Sequence, residues 1–179
     1  MPVMPLRGRV PDKMIQLLQL DAPTLDRLLA GPDVFLAAIC ANCAEVSQLI
    51  AAMAQQTRQF HEKTGSRPPW VGYLAQEMAD TKLVGACGFK GNPDAEGSVE
   101  IAYFTFPAYE GRGYATEMAR RLVQLALETG SVQRVLAHTL PETNASGRVL
   151  GKIGMTKVGE VLDPEDGRVW RWEIRRNAA

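Results

Sequence analysis

Two rhythms of apolar and polar residues run along this chain, one of period two and one of helical period. The helical rhythm is plainest over 115–127, where Ala115, Met118, Ala119, Leu122, Val123, Ala126 and Leu127 form one long apolar face. A second helical stretch covers 33–63, with Val46, Leu49, Ile50, Met53 and Phe60 as its stripe and Gln55, Gln56, Arg58 and Gln59 solvated. Asp21 as cap and Pro23 as an early proline predict a short helix over 25–30, which Gly31-Pro32 ends. A further short helix is predicted over 146–153, with Val149, Leu150 and Ile153 inward and Gly154 as its stop.

Strands are predicted over 14–20, 70–76, 83–90, 99–106, 134–139, 157–162 and 168–175. The last two flank an Asp-Pro-Glu-Asp-Gly turn at 163–167, and Trp170, Trp172 and Ile174 share a strand face opposite Arg171, Glu173 and Arg175. Short connections make the three central strands an antiparallel meander. A strand, the 115–127 helix and the 134–139 strand form a crossover, so that pair should be parallel and right-handed. The expected fold class is therefore α/β (α+β), one domain with a mixed sheet.

Composition narrows the partners. Among 179 residues, 46% are hydrophobic and 22% charged, as in a folded globular chain. Twenty basic residues balance twenty acidic ones, which leaves no general positive field for nucleic acid. No apolar run approaches membrane-spanning length, and residues 1–9 carry arginines and prolines without an apolar stretch behind them, so export is not expected. Cys40 and Cys43 have C-x-x-C spacing on a predicted helix, but no second pair exists and neither histidine is near. Reduced, partly buried thiols in a cytoplasmic setting fit better than metal or redox chemistry, and no metal site is expected.

Chemistry concentrates at Glu110-Gly111-Arg112-Gly113-Tyr114-Ala115, a glycine turn between the 99–106 strand and the following helix. Such a turn directs backbone N–H groups outward at the positive end of a helix, which suits a phosphate. A P-loop would need Lys-Ser or Lys-Thr after its glycines, and none is present. A dinucleotide fold would place its glycines after an early parallel strand, whereas this turn follows a meander.

The run Val99-Glu100-Ile101-Ala102-Tyr103, then 107–117, then 140–155 with Asn144 and Ser146, closely resembles the GCN5-related N-acetyltransferase superfamily, and most of all its branch of ribosomal-protein N-terminal acetyltransferases (RimJ/RimL-like). That resemblance implies a single acyl-CoA N-acyltransferase domain with a mixed, mostly antiparallel sheet flanked by helices. Residues 70–175 would form the acetyl-CoA-binding core, and 1–69 the variable acceptor side. It implies transfer of acetyl from acetyl-CoA to a primary amine, a protein N-terminus or a small molecule, with coenzyme A as product. The alternative is a non-catalytic acyl-CoA-binding or regulatory module. Monomer and homodimer are both compatible.

By the same resemblance, Gly111, Arg112, Gly113, Tyr114 and Ala115 would hold the diphosphate. Phe104, Thr105 and Phe106 would meet the pantetheine arm where the strand bulges or splays. A backbone N–H near Phe104 would take the oxyanion, and Glu100 the amine proton. Period two places Glu100, Ala102, Phe104 and Phe106 on one face; a salt-bridged strand glutamate is the other reading of Glu100. Asn144 and Ser146 read as helix caps and, by resemblance, as cofactor contacts. Two departures stand out. Glu110 sits where the family prefers Gln or Arg, and Val149 and Leu150 occupy the region where many members carry an acidic tyrosine. His61 and His138 read as lone histidines, and Tyr103, Trp70, Trp170 and Trp172 as sheet packing.

Overall fold

A computed structural model of the chain describes residues 14–164 and 166–176; the export reading of residues 1–9 falls outside them. In chain order the elements are β1 (Ile15–Gln19), α1 (Ala22–Ala30), α2 (Pro32–Ile39), α3 (Cys43–Thr64), β2 (Gly72–Glu77), β3 (Leu83–Phe89), β4 (Ser98–Thr105), α4 (Tyr114–Glu128), β5 (Arg134–Thr139), α5 (Ala145–Lys152), β6 (Thr156–Asp163) and β7 (Gly167–Arg175). A 3-10 turn, Pro107–Tyr109, joins β4 to the glycine turn.

The strands form one sheet in the order β1-β2-β3-β4-β5-β7-β6. Every neighbouring pair is antiparallel except β4 and β5, which are parallel across the α4 crossover. This is the mixed, mostly antiparallel sheet flanked by helices that the strand spacing and resemblance imply.

The helices divide between the two faces, and glycines show where. A Cβ at Gly85 would lie 2.5 Å from the Phe104 carbonyl oxygen and 2.9 Å from Met118, so α4 can approach the sheet that closely only over a glycine. Gly85 pairs with Thr105, so α4 covers the face of the odd-numbered β4 residues. Val99, Ile101, Met118, Ala119, Leu122 and Ala126 are all buried there. Each large side chain so buried contributes about 1.5–3 kcal/mol. A Cβ at Gly72 would meet Thr57 of α3, and Gly72 pairs with Gly88, the partner of Ala102. Helix α3 therefore lies over the even-numbered face.

The N-terminal helices depart from the pattern reading in two places. Pro32 does not merely end α1; it opens α2 at its first position, while Asp21 caps α1 by accepting the Thr24 N–H at 3.0 Å. The 33–63 segment breaks at residues 40–42, so Cys40 and Cys43 flank a break instead of sharing a helix, and both are free thiols. Asn42 explains the break. Buried at 4% exposure, it donates to the Leu83 carbonyl and to the Tyr109 hydroxyl, both at 2.9 Å, and accepts the Leu83 N–H at 2.9 Å. One side chain thus ties the α2–α3 junction to the start of β3 and to the approach to the glycine turn. Among the described residues, no helix is long and apolar enough to cross a membrane.

Candidate active site

Pairing between β4 and β5 stops at Glu100–Leu136, while pairing between β4 and β3 runs on without a register shift to Thr105–Gly85. The sheet opens by splaying on the β5 side, not by a bulge against β3. Two bonds fix which groups are released: Lys90 N–H to the Glu100 carbonyl and Phe106 N–H to the Val84 carbonyl, both 2.9 Å. Antiparallel alternation then gives the even-numbered residues of β4 to β3, so the N–H and C=O groups of Tyr103 and Thr105 face the splay.

That geometry narrows the expected backbone N–H near Phe104: the Phe104 amide points to β3, and the neighbouring amides of Tyr103 and Thr105 face the splay. Phe106 is 2% exposed, its N–H bonds Val84 and its carbonyl accepts the Tyr109 N–H at 2.8 Å. Its ring is packed into the core 6.1 Å from the Phe104 ring, so Phe106 backs Phe104 from behind and is not exposed to the cavity.

The glycine turn opens a cavity of about 460 Å³ between β4, α4 and α5. Gly111 and Gly113 have φ of +71° and +90°, a left-handed backbone that glycine adopts without strain, and a Cβ at either would meet nothing within 4 Å. Gly113 caps the 15-residue helix α4 without a side-chain bond, so first-turn N–H groups are not taken by a cap. Gly111, Gly113, Tyr114 and Ala115 line the cavity; Arg112 does not, because its guanidinium lies over the Tyr109 ring, 5.5 Å from the centroid. The exposed Glu110 lies at the rim.

Two further features go beyond the sequence reading, which names neither Arg148 and Lys152 nor the hydroxyl of Thr105. Arg148 and Lys152, one turn apart on α5, line the cavity facing the glycine turn and bring positive charge from a distant segment. The Oγ1 of Thr105 is buried in the same cavity wall with no hydrogen-bond partner. A buried hydroxyl left unpaired costs about 1–3 kcal/mol, which a ligand group would recover.

Glu100 sits on the other side of the splay, its side chain 20% exposed. Lys90 Nζ and His138 Nδ1 each lie 3.0 Å from its Oε1. The Lys90 contact is a charge-assisted hydrogen bond; the His138 nitrogen is at ion-pair distance but out of hydrogen-bond alignment. Burial would push the Glu100 carboxyl up, but the close approach of His138 and Lys90 outweighs it and holds the group below its ordinary value. Glu100 is thus both candidate proton acceptor and ion-paired strand residue. These three line a cavity of about 370 Å³ with Tyr103 and Asn144.

Tyr103 is the hinge of the arrangement, bordering this cavity, the glycine-turn cavity and a third beneath α3. Its hydroxyl donates to the Ser146 carbonyl at 3.4 Å, and burial pushes its pKa up to about 12, so it keeps its proton at neutral pH. Periodicity reads Tyr103 as packing; its position at three cavities is visible only in three dimensions. Asn144 caps α5, accepting the Gly147 N–H at 2.9 Å, and lies on the Glu100 side. Ser146 borders both that cavity and the glycine-turn cavity.

Comparison with known proteins gives this geometry a context. The profile of the Acetyltransferase (GNAT) domain matches residues 15–156. The chain is 34% identical to the uncharacterized N-acetyltransferase YjdG of Bacillus subtilis (strain 168) over 97 residues, 54% of this chain and 58% of that relative, and so spans less than two thirds of its length. The crystal structure of a GNAT-family acetyltransferase from Bacillus anthracis superposes with a TM-score of 0.55 at 26% identity, covering 68% of this chain and 74% of that one. The self-immunity acetyltransferase MccE, solved with acetyl-CoA and AMP, shares the fold at 15% identity, with a TM-score of 0.62 over 93% of this chain and 98% of its own. The matches reach several branches of the superfamily and do not single out the ribosomal-protein N-terminal branch. With its splayed β4–β5 pair and a glycine turn at the head of α4, the chain belongs to the GNAT acetyltransferase domain family.

Proposed function

We propose that this chain moves an acetyl group from acetyl-coenzyme A to a primary amine by direct attack, without an acyl-enzyme. The observation that carries the reading is the shared cavity. The free amides facing the splay, the unpaired Thr105 hydroxyl and the open glycine turn line one continuous space. An extended chain ending in a diphosphate matches that order of groups. Family membership supports the donor's identity.

When bound, acetyl-coenzyme A supplies a thioester carbon that a neutral amine attacks, forming a C–N bond as the C–S bond breaks. The residues of this chain then have distinct duties. The amides of Gly111, Gly113, Tyr114 and Ala115 hold the diphosphate, with Arg148 and Lys152 facing them, while Arg112 contributes its backbone only. Asn144 and Ser146 flank the arm from α5. The Tyr103 and Thr105 amides pair with the arm and with the carbonyl oxygen as charge develops on it. Glu100 receives the amine proton, directly or through water, and His138 and the solvent take it onward; its lowered pKa keeps the carboxylate charged and ready at neutral pH. Tyr103 Oη, still protonated, turns its one O–H from the Ser146 carbonyl to the departing thiolate in this reading.

Within the 1–69 acceptor segment, the described residues 14–69 form the acceptor side of the cleft in this reading, with α3 as its roof, and the setting is cytoplasmic. A thiol-release assay with acetyl-coenzyme A and a panel of primary amines, with product masses, tests the proposal. The expected result is amine-dependent thiol release with a mass gain of one acetyl group. Tight acetyl-coenzyme A binding with no transfer to any amine would instead support the regulatory module.

A further inference from the structure

The third cavity, about 420 Å³ in volume, lies between α3 and the even-numbered face of β2, β3 and β4. Leu20, Met53, Phe60, Phe89 and Phe104 supply most of its wall. It meets the Glu100 cavity along Lys90 and Ala102, and the glycine-turn cavity at Tyr103 and Phe104. A molecule seated here would therefore present one end to the splay, where acetyl transfer is placed.

Its charge pattern is unusual for a site that takes a cation. None of the lining residues is Asp or Glu, and the only formally charged one is Lys90, a cation already bonded to Glu100. Two further polar groups on the wall are occupied, and Gln56 and Thr57 add only neutral ones. His61 Nε2 accepts the Gly72 N–H at 3.2 Å, and burial lowers the pKa of its ring, so it stands neutral. Tyr73 donates its hydroxyl to the Pro69 carbonyl at 2.7 Å. A second ammonium carried into this space would lose its water and gain no anionic partner, with Lys90 repelling it. The floor offers little to an extended peptide: β2, β3 and β4 pair with one another across this face, so the one unpaired stretch of strand edge is at the β4 splay, where the donor arm is placed. Volume and lining match a small ligand, for which pockets of about 300–1,000 Å³ are usual.

We infer that the acceptor is a small primary monoamine whose body is aromatic or branched aliphatic, seated between α3 and Phe104 with its amine toward Glu100. This inference rests on the transfer reading for the word acceptor, but its binding half stands alone. Two measurements on the full chain separate them. First, calorimetric titration with 2-phenylethylamine and with spermidine, each with and without coenzyme A, reads the cavity directly. Saturable binding of phenylethylamine, at least about tenfold tighter than spermidine, is expected. Second, steady-state transfer to these amines and to a tripeptide should give phenylethylamine the highest kcat/KM. Gln56→Glu, an exposed position on the cavity wall, should shift the ratio of spermidine to phenylethylamine by about fivefold toward the polyamine. Phenylethylamine binding without transfer of acetyl to any amine overturns the transfer reading and leaves the cavity assignment in place. Equal or tighter binding of spermidine, a tripeptide as preferred substrate, or no effect of Gln56→Glu on that ratio overturns the monoamine assignment, whether or not transfer occurs.

Discussion

The two sides of the β4 splay are built from different materials. On the α4 side the candidate donor site is largely main chain, with Arg148 and Lys152 across from it: positive-φ glycines, an uncapped helix start and two amides that have lost their strand partner. On the α3 side the surface is side chain: Phe104 and Ala102 on the strand, and a carboxylate neutralised by Lys90. A main-chain site depends on conformation and tolerates most changes of neighbouring side chain, whereas a side-chain site changes its chemistry with every substitution. Donor recognition should accordingly be the conservative half of this protein, and acceptor recognition the adaptable half.

The sharpest way to break the contrast is Gly113→Trp. It strains a backbone at φ +90° and puts an indole where the cavity is open, and acetyl-coenzyme A affinity should fall by about 100-fold or more. Calorimetry on a variant shown by circular dichroism to be folded checks it; unchanged affinity would remove the turn as the diphosphate site.

Glu100→Gln tests the opposite side. Turnover should drop by about 10- to 100-fold with acetyl-coenzyme A affinity within about twofold of the parent. The same variant carries a pH signature. The Glu100 pKa is lowered in the fold, so its contribution to stability is present above the ordinary value of 4.5 and is lost as pH falls through the folded value. The melting temperatures of parent and variant should therefore differ most near neutrality and converge as the solution is acidified below that value. A gap that widens in acid would contradict the ion-paired state.

The smallest effect is expected at Arg112→Ala. Its guanidinium rests over Tyr109 and lies outside the cavity lining, so donor affinity should change by less than about threefold. A loss comparable to that at Gly113 would show that the turn reads charge through its side chain after all.

Legibility in the sequence followed the same division. The glycine turn, the α4 stripe and the crossover to β5 are local signals, and each element lies within a few residues of its predicted place. Features made by distant segments were not legible. Arg148 and Lys152 reach the turn only because α5 folds back beside α4, and Lys90 and His138 meet Glu100 from two neighbouring strands. Asn42 reads as an ordinary helix residue until its amide is seen bonded to Leu83 and Tyr109. The burial of Phe106 was not legible either: period two places it beside Phe104 but does not say that the core covers it.

The parity of β4 has a further consequence, for how such a protein diversifies. Odd-numbered residues present their backbone to the donor's side of the splay, and even-numbered ones present their side chains to the acceptor's. Under the proposed transfer, changes at Ala102 or Phe104 would remodel the acceptor's side while the main-chain groups facing the donor stay in place. One strand would then hold one partner on one register and be free to change the other.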